Sequence, residues 1–387
     1  MIEDRLQAEL AELTAAGLRR RRRVLESPCG RTATVDGQNL LNFASNDYLG
    51  LAGNADIALA MVEGAQTWGA GSGASHLVSG HLAPHEALEA ELAAFTGFER
   101  ALTFSTGYLA NLAVTPTLAG RGAAVFADKL NHASLIDAMQ LAKANGAEVQ
   151  RYPHNDVAAL ERLLAASPAT SKLIVSDTVF SMDGDLAPLP ALFELAERYD
   201  AWLVLDDAHG FGVLGPNGQG ALAHCRLPAA RRILLMGTLG KAAGVGGAFV
   251  AGSALAIDYL LNKGRSYIFT TAAPPAVACA LRARLKIIEQ GEARRQQLFA
   301  NIARLQSGLR GLPWPLLPSA TAIQPLIVGD NAAALALAQA LWQRGLWVPA
   351  IRPPTVPKGT ARLRISLSAA HTAADIDLLV TTLKELA

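Results

Sequence analysis

The sequence predicts an α/β fold: a large domain on a mostly parallel central sheet, followed by a smaller α+β domain. Three observations carry this. From about residue 100 to 251, short apolar runs alternate with helical patterns at intervals of about thirty residues, the mark of βαβ units. After Pro274-Pro275 the order becomes a long helix, a strand, a further helix and a last apolar segment. The residues with the most chemistry follow directly on the apolar runs, and parallel sheets bind ligands at the carboxyl ends of their strands.

Size and composition agree with a multi-unit globular protein. A chain of 387 residues suggests two or three packed units. Apolar residues make up 51 % and charged residues 17 %, below the usual quarter or so, which implies extensive buried surface in a core or a subunit interface. A net charge of +1 gives no reason to expect nucleic acid. Cys29, Cys225 and Cys279 are isolated and odd in number, as expected for free thiols in a reducing, cytoplasmic setting. The acidic N-terminus lacks the apolar stretch of a signal peptide, and no run reaches the ~18 apolar residues of a membrane span.

Residues 1–45 form an N-terminal segment whose helical pattern breaks near Ser27-Pro28. Residues 46–275 form the large domain, with strands expected at 101–104, 123–127, 148–152, 173–176, 202–205, 233–236 and 248–251. Helices are expected at 134–145, 157–165 and 190–199. Residues 276–387 form the small domain: a helix to about Gly311, a strand near 323–328, a helix to about Arg344 and an apolar segment at 361–368. There are no internal repeats.

Lys241 ends an apolar run that passes into a glycine-rich turn, Gly237-Thr238-Leu239-Gly240-Lys241. A second run, 201–205, delivers Asp206-Asp207-Ala208-His209 at its end. A lysine, an acid and a histidine on neighbouring strand ends are the parts needed to hold and use pyridoxal phosphate (PLP). The lysine can bond the aldehyde, and a buried carboxylate keeps the pyridine nitrogen protonated. Asp206 suits that pairing better than Asp207, being nearer the apolar strand, and His209 suits the ring's phenolic oxygen. Thr106-Gly107-Tyr108 follows a strand and opens a helix, where backbone N–H groups suit a phosphate. His132 follows the 123–127 strand and is placed to lie on the ring.

Each of these has a plainer reading. Most lysines are solvated, and an acid at a strand end often only caps a turn; the combination argues otherwise. The glycine spacing before Lys241 is too short for a P-loop, which disfavours ATP. The glycine-rich stretch 69–75 follows no strong strand and is a weak nucleotide signal. His76, His81 and His85 lack a carboxylate or cysteine at a recognised spacing, so no metal is expected. The run Arg19–Arg23 fits a solvated face or a clamp for an acidic or CoA-bearing substrate.

Taken in order, Ser45-Asn46-Asp47-Tyr48-Leu49-Gly50, Gly71-Ser72-Gly73, Ser134-Leu135, Phe180-Ser181-Met182-Asp183-Gly184-Asp185, Asp206-Asp207-Ala208-His209-Gly210 and Thr238-Leu239-Gly240-Lys241 resemble the α-oxoamine synthases. These are PLP enzymes of the aspartate-aminotransferase fold class, and the likeness runs over nearly the whole chain. It implies a PLP-dependent transferase fold and a decarboxylative condensation of an amino acid with an acyl thioester. Segments 322–329 and 351–357 are similar to the member that joins L-alanine to pimeloyl-CoA, or its carrier-protein thioester, rather than to a glycine-using member.

The same resemblance implies roles by position. Lys241 is the cofactor lysine, and His132 stacks on the ring and acts as an acid. Asp206 meets the pyridine nitrogen, Ser181 and His209 the oxygen side, and Gly107, Tyr108 and Thr238 the phosphate. Thr270 and Thr271 reach a neighbouring subunit's cofactor, so a homodimer is implied. Arg19 or Arg20, Asn46, Arg352 and Thr355 belong near substrate. Three positions depart from the family pattern: Asp177 replaces a glutamate, Ala74 a glycine, and His76 a glycine or arginine. A non-catalytic scaffold of the same fold remains the competing reading, and it would be colourless.

Overall fold

The computed structural model describes residues 1–387 and divides into two compact units. The larger comprises residues 51–181 and 186–295, the smaller residues 1–50, 182–185 and 296–387. No helix is long and apolar enough to cross a membrane.

The larger unit is built on a seven-stranded sheet ordered Arg100–Phe104, Ala248–Gly252, Ile233–Thr238, Ala201–Asp206, Ser171–Asp177, Ala123–Asp128, Glu148–Tyr152. Every expected strand is present, extended by two residues or fewer at either end. Ala248–Gly252 alone runs antiparallel to its neighbours. Helices Gly107–Leu118 and Ala133–Ala144 pack on each other over one face, burying Leu102, Val125, Val175 and Met236. On the alternate residues, Phe126, Ile174, Leu203 and Leu205 are equally buried. A strand covered on both faces must be apolar at successive positions, which is why these segments read as unbroken apolar runs.

Register then positions the chemistry. Asp177 pairs with Asp206, and Asp206 with Met236, so successive parallel strands end level with one another. Once past that line the chain is released from the ladder, and polar residues can turn into the crevice above the sheet.

In the smaller unit, Ile323–Gly329, Ala361–Ser366 and Ala350–Ile351 form an antiparallel sheet. Thr32–Val35, Gln38–Asn42 and Leu346–Trp347 form a second. The insertion 182–185 is held by Ser319 and Thr321, whose hydroxyls donate to Gly184 O at 2.8 and 3.0 Å, and by an ion pair of Arg362 with Asp183. Arg31 grips Asp375 through two guanidinium hydrogen bonds of 2.6 and 2.8 Å.

The division differs from the expected one. The N-terminal segment joins the C-terminal unit, because strand Gln38–Asn42 pairs with Leu346–Trp347. Helix Pro275–Glu289 stays with the large unit, packed on Ala55–Trp68 so closely that a Cβ on Gly64 would lie 2.8 Å from Cys279 Cβ. The single helix expected up to Gly311 is two, Pro275–Glu289 and Glu292–Gly308. They break at Gly291, where a Cβ would stand 2.9 Å from Ile287 O. The first helix ends at Ala15, well before Ser27-Pro28, so the arginine run lies beyond it.

Leu173 is fully buried in a central strand, and Leu173→Ala should lower stability by about 2–5 kcal/mol in urea unfolding. Acid should also loosen the smaller unit. Burial works against ionisation of Asp375, but hydrogen bonds from Arg31 and Thr372 outweigh it and bring its carboxyl down to about 2 from 3.8. A carboxyl depressed by folding adds stability above its unfolded value, and that stability disappears as pH falls through the folded one. Unfolding midpoints should therefore decline between about pH 4 and 2, and Arg31→Ala should flatten the decline.

Candidate active site

At the carboxyl ends of the parallel strands lies a cavity of about 180 Å³, walled wholly by the larger unit. The expected residues Gly107, Tyr108, His132, Asp206, His209, Thr238 and Lys241 all line it. Ser134, Asp177, Ala208 and Met236 complete the wall.

Lys241 is carried by the turn between Ile233–Thr238 and Ala248–Gly252. Leu239 N–H donates to Gly247 O at 2.9 Å and Val245 N–H to Leu239 O at 3.0 Å, closing the turn on itself. Gly244 has φ +63°, and a Cβ there would stand 2.8 Å from Ala52 N, so the turn needs glycine. Lys241 Nζ lies 2.8 Å from His209 Nε2.

Asp206 is 4 % exposed, and each of its oxygens has a donor. Asn111 Nδ2 donates to Oδ2 at 2.8 Å and Ala208 N–H to Oδ1 at 3.0 Å. Asp207 faces elsewhere, accepting from Thr178 Oγ1 at 2.5 Å and Ala221 N–H at 3.1 Å. Burial pushes it up to about 7 against those two hydrogen bonds. Asp207 is thus a structural acid, in keeping with the preference for Asp206.

Asp177 ends the adjacent strand and accepts the His132 backbone N–H at 2.7 Å. Burial, then the charge of Asp206, raises its carboxyl well above the ordinary range. His132 caps helix Ala133–Ala144, and burial lowers its imidazole pKa, favouring the neutral ring. Thr106 caps helix Gly107–Leu118 by accepting from Leu109 N–H at 3.2 Å. Gly107 and Tyr108 occupy that helix's first turn, whose N–H groups have no partner within the helix.

This donor set fits PLP. One amine suits an aldehyde, one buried carboxylate suits a cationic ring nitrogen, two imidazoles line the same cavity, and a helix N-terminus suits a phosphate.

Other expected residues stand apart from the cavity wall. Ser181 does not line it, nor do Thr270 and Thr271; Thr271 forms a β-bridge with Ser75. Arg19, Asn46, Arg352 and Thr355 belong to the smaller unit. There Arg364 donates to Asn46 Oδ1 at 3.1 Å, and Arg352 donates to Gly17 O. Arg20 donates to Thr355 Oγ1 at 3.2 Å, whereas Arg19 reaches Thr14 Oγ1 at 3.4 Å.

The three histidines do gather. His76 and His81 face each other through Nδ1 atoms 2.8 Å apart, and His81 Nε2 lies 2.9 Å from Glu86. His85, however, accepts Leu82 N–H at 3.0 Å and donates to Ala273 O at 2.8 Å, which engages both of its nitrogens. Glu86 and Glu89 also bring carboxylate oxygens within 4.8 Å of the His81 ring nitrogen, so carboxylates do stand beside these histidines although their spacing in the sequence gives no sign of it. Burial and the neighbouring imidazoles bring His76 down to about 4.

Reading the sequence missed Asn111 as a site residue. An i, i+4 spacing from Gly107, which puts both on one helix face, is the only signal that points to it.

The model of the aminotransferase class I and II family matches residues 38–383. The 8-amino-7-oxononanoate synthase of Dechloromonas aromatica is 78 % identical over 387 residues, covering 100 % of both chains. Among solved structures, serine palmitoyltransferase from S. paucimobilis with PLP and myriocin bound has a TM-score of 0.92 at 32 % identity, covering 99 % of this chain and 96 % of that one. The 8-amino-7-oxononanoate synthase of Francisella tularensis has a TM-score of 0.77 at 31 % identity, covering 90 % and 98 %. The chain belongs to the class I and II aminotransferase family and, within it, to the family of the 8-amino-7-oxononanoate synthases.

Proposed function

We propose that this chain is an acyltransferase of biotin biosynthesis. It condenses L-alanine with a pimeloyl thioester, on CoA or a carrier protein, to 8-amino-7-oxononanoate, releasing the thiol and CO2. The observation that carries the reading is the meeting of Lys241, Asp206, His132 and His209 in one cavity. Full-length identity of 78 % to a relative named for this product supports it.

The cofactor is pyridoxal 5'-phosphate, which when bound supplies a cationic ring that withdraws electrons from the bonds at the amino acid's Cα. Lys241 would hold the group by its aldehyde, and its freed amine is the residue placed to take the Cα proton. Asp206 would keep a proton on the ring nitrogen, and Asp177 beside it has its carboxyl raised by burial and by the charge of Asp206. His132, in the cavity wall, would stack on the ring and serve as the acid on the reacting carbonyl side. His209 and Ser181 serve the ring oxygen, and Gly107, Tyr108 and Thr238 the phosphate.

Alanine Cα then bonds to the thioester carbonyl carbon, and the C–S bond breaks with the thiol leaving. The Cα–carboxyl bond breaks as CO2, and a proton returns to Cα. Arg19 or Arg20, Asn46, Arg352 and Thr355 bind the acyl donor. Thr270 and Thr271 serve the cofactor of a second subunit, so the working form is a cytoplasmic homodimer.

Lys241→Ala should cut turnover by about 10²–10⁴-fold or more, the range of a positioned proton-transfer group. Near-normal activity in that variant would refute the assignment. Product analysis with pimeloyl-CoA should give 8-amino-7-oxononanoate from L-alanine and far less ketone from glycine. A preference for glycine would point to another member of the family.

A further inference from the structure

Asn111 is fully buried, and its Oδ1 has no hydrogen-bond partner. A polar atom taken out of water without a partner destabilises the fold, and leucine would fill a similar space without that penalty. What the amide offers instead is two N–H donors on one nitrogen. One goes to Asp206 Oδ2 at 2.8 Å, the other to Ser134 Oγ at 2.9 Å. The orientation is fixed by the partner: a carboxylate only accepts, so the nitrogen must face Asp206.

The direction of the bonds continues from there. Ser134 Oγ, which accepts from Asn111, lies 2.8 Å from His132 Nδ1, and because a backbone N–H already faces that nitrogen as a donor, the hydroxyl turns its own hydrogen to it. Ser134 backbone N–H points to the same Nδ1 at 3.3 Å. Two donors facing one ring nitrogen make it an acceptor, and the neutral ring then carries its proton on Nε2.

We infer that Asn111 and Ser134 are positioning residues that link Asp206 to His132 and hold His132 in the Nε2–H tautomer, the form whose Nε2–H can hydrogen-bond to a reacting oxygen in the cavity. This rests on the proposed function, in which His132 acts as an acid over the ring. The chain Asp206, Asn111, Ser134, His132 ties the orientation of the ring acid to the protonation pattern of the stacking imidazole.

The test uses the holoenzyme, with 15N-histidine labelling and NMR assignment of the His132 tautomer by comparison with His132→Gln. Wild type should show a bare Nδ1 and a protonated Nε2. Ser134→Ala should populate Nδ1–H and lower kcat about 10-fold or more while KM for alanine moves little, and Ser134→Thr, which keeps the hydroxyl, should restore both. Asn111→Leu should disturb the tautomer in the same sense and also weaken PLP binding to the apoenzyme about 10-fold or more. An unchanged tautomer in Ser134→Ala overturns the inference, as does an unchanged kcat. If Asn111→Leu does not fold, the two serine variants decide alone. The broader reading fails differently: the wild-type protein would then make no ketone from alanine at all.

Discussion

The site depends on the register of three parallel strands. With Asp177 level with Asp206 and Asp206 level with Met236, the ends of Ser171–Asp177, Ala201–Asp206 and Ile233–Thr238 open into one crevice. An amine from the turn after the third strand and an acid from the end of the second thereby share a cavity. A slip of one residue in Ala201–Asp206 would turn its side chains to the opposite face and carry Asp206 away from the crevice.

Three acids crowd that line, and the protein treats each one differently. Asp207 is turned toward Thr178 and Ala221 and held near 7 by burial. Asp177 is pushed up by burial and by Asp206, and uses its oxygen to hold the His132 backbone. Like charges in a dry crevice repel, and both Asp177 and Asp207 are raised by burial and by the charge of Asp206, while Asp206 lines the cavity with Lys241. Close approach makes this possible: Gly220, at φ +104°, would with a Cβ come within 2.0 Å of Asp207 Oδ2.

Much of this is legible in the sequence. The seven sheet strands stand out because burial on both faces demands continuous apolar runs, and the Lys241 and Asp206 segments stand out because polar residues follow those runs at once. Asn111 is not legible. A single amide inside an apolar helix carries no pattern beyond its i, i+4 spacing from Gly107, and its meaning appears only when residues 111, 134 and 206 come together. The division into units is equally non-local. Nothing near Asn46 announces that residues 38–42 pair with 346–347, and only Gly291 hints that one helical stretch is two. The arginine run reads as a helix end by composition, yet the helix stops at Ala15, and it is Arg20 that meets Thr355.

The most direct measurement of the central claim is to reduce the PLP-loaded protein with borohydride, digest it, and locate the pyridoxyl mass by peptide sequencing. A single modified site at Lys241 is the predicted result. Modification at another lysine, or none, would contradict the assignment of that amine and of the acid it faces.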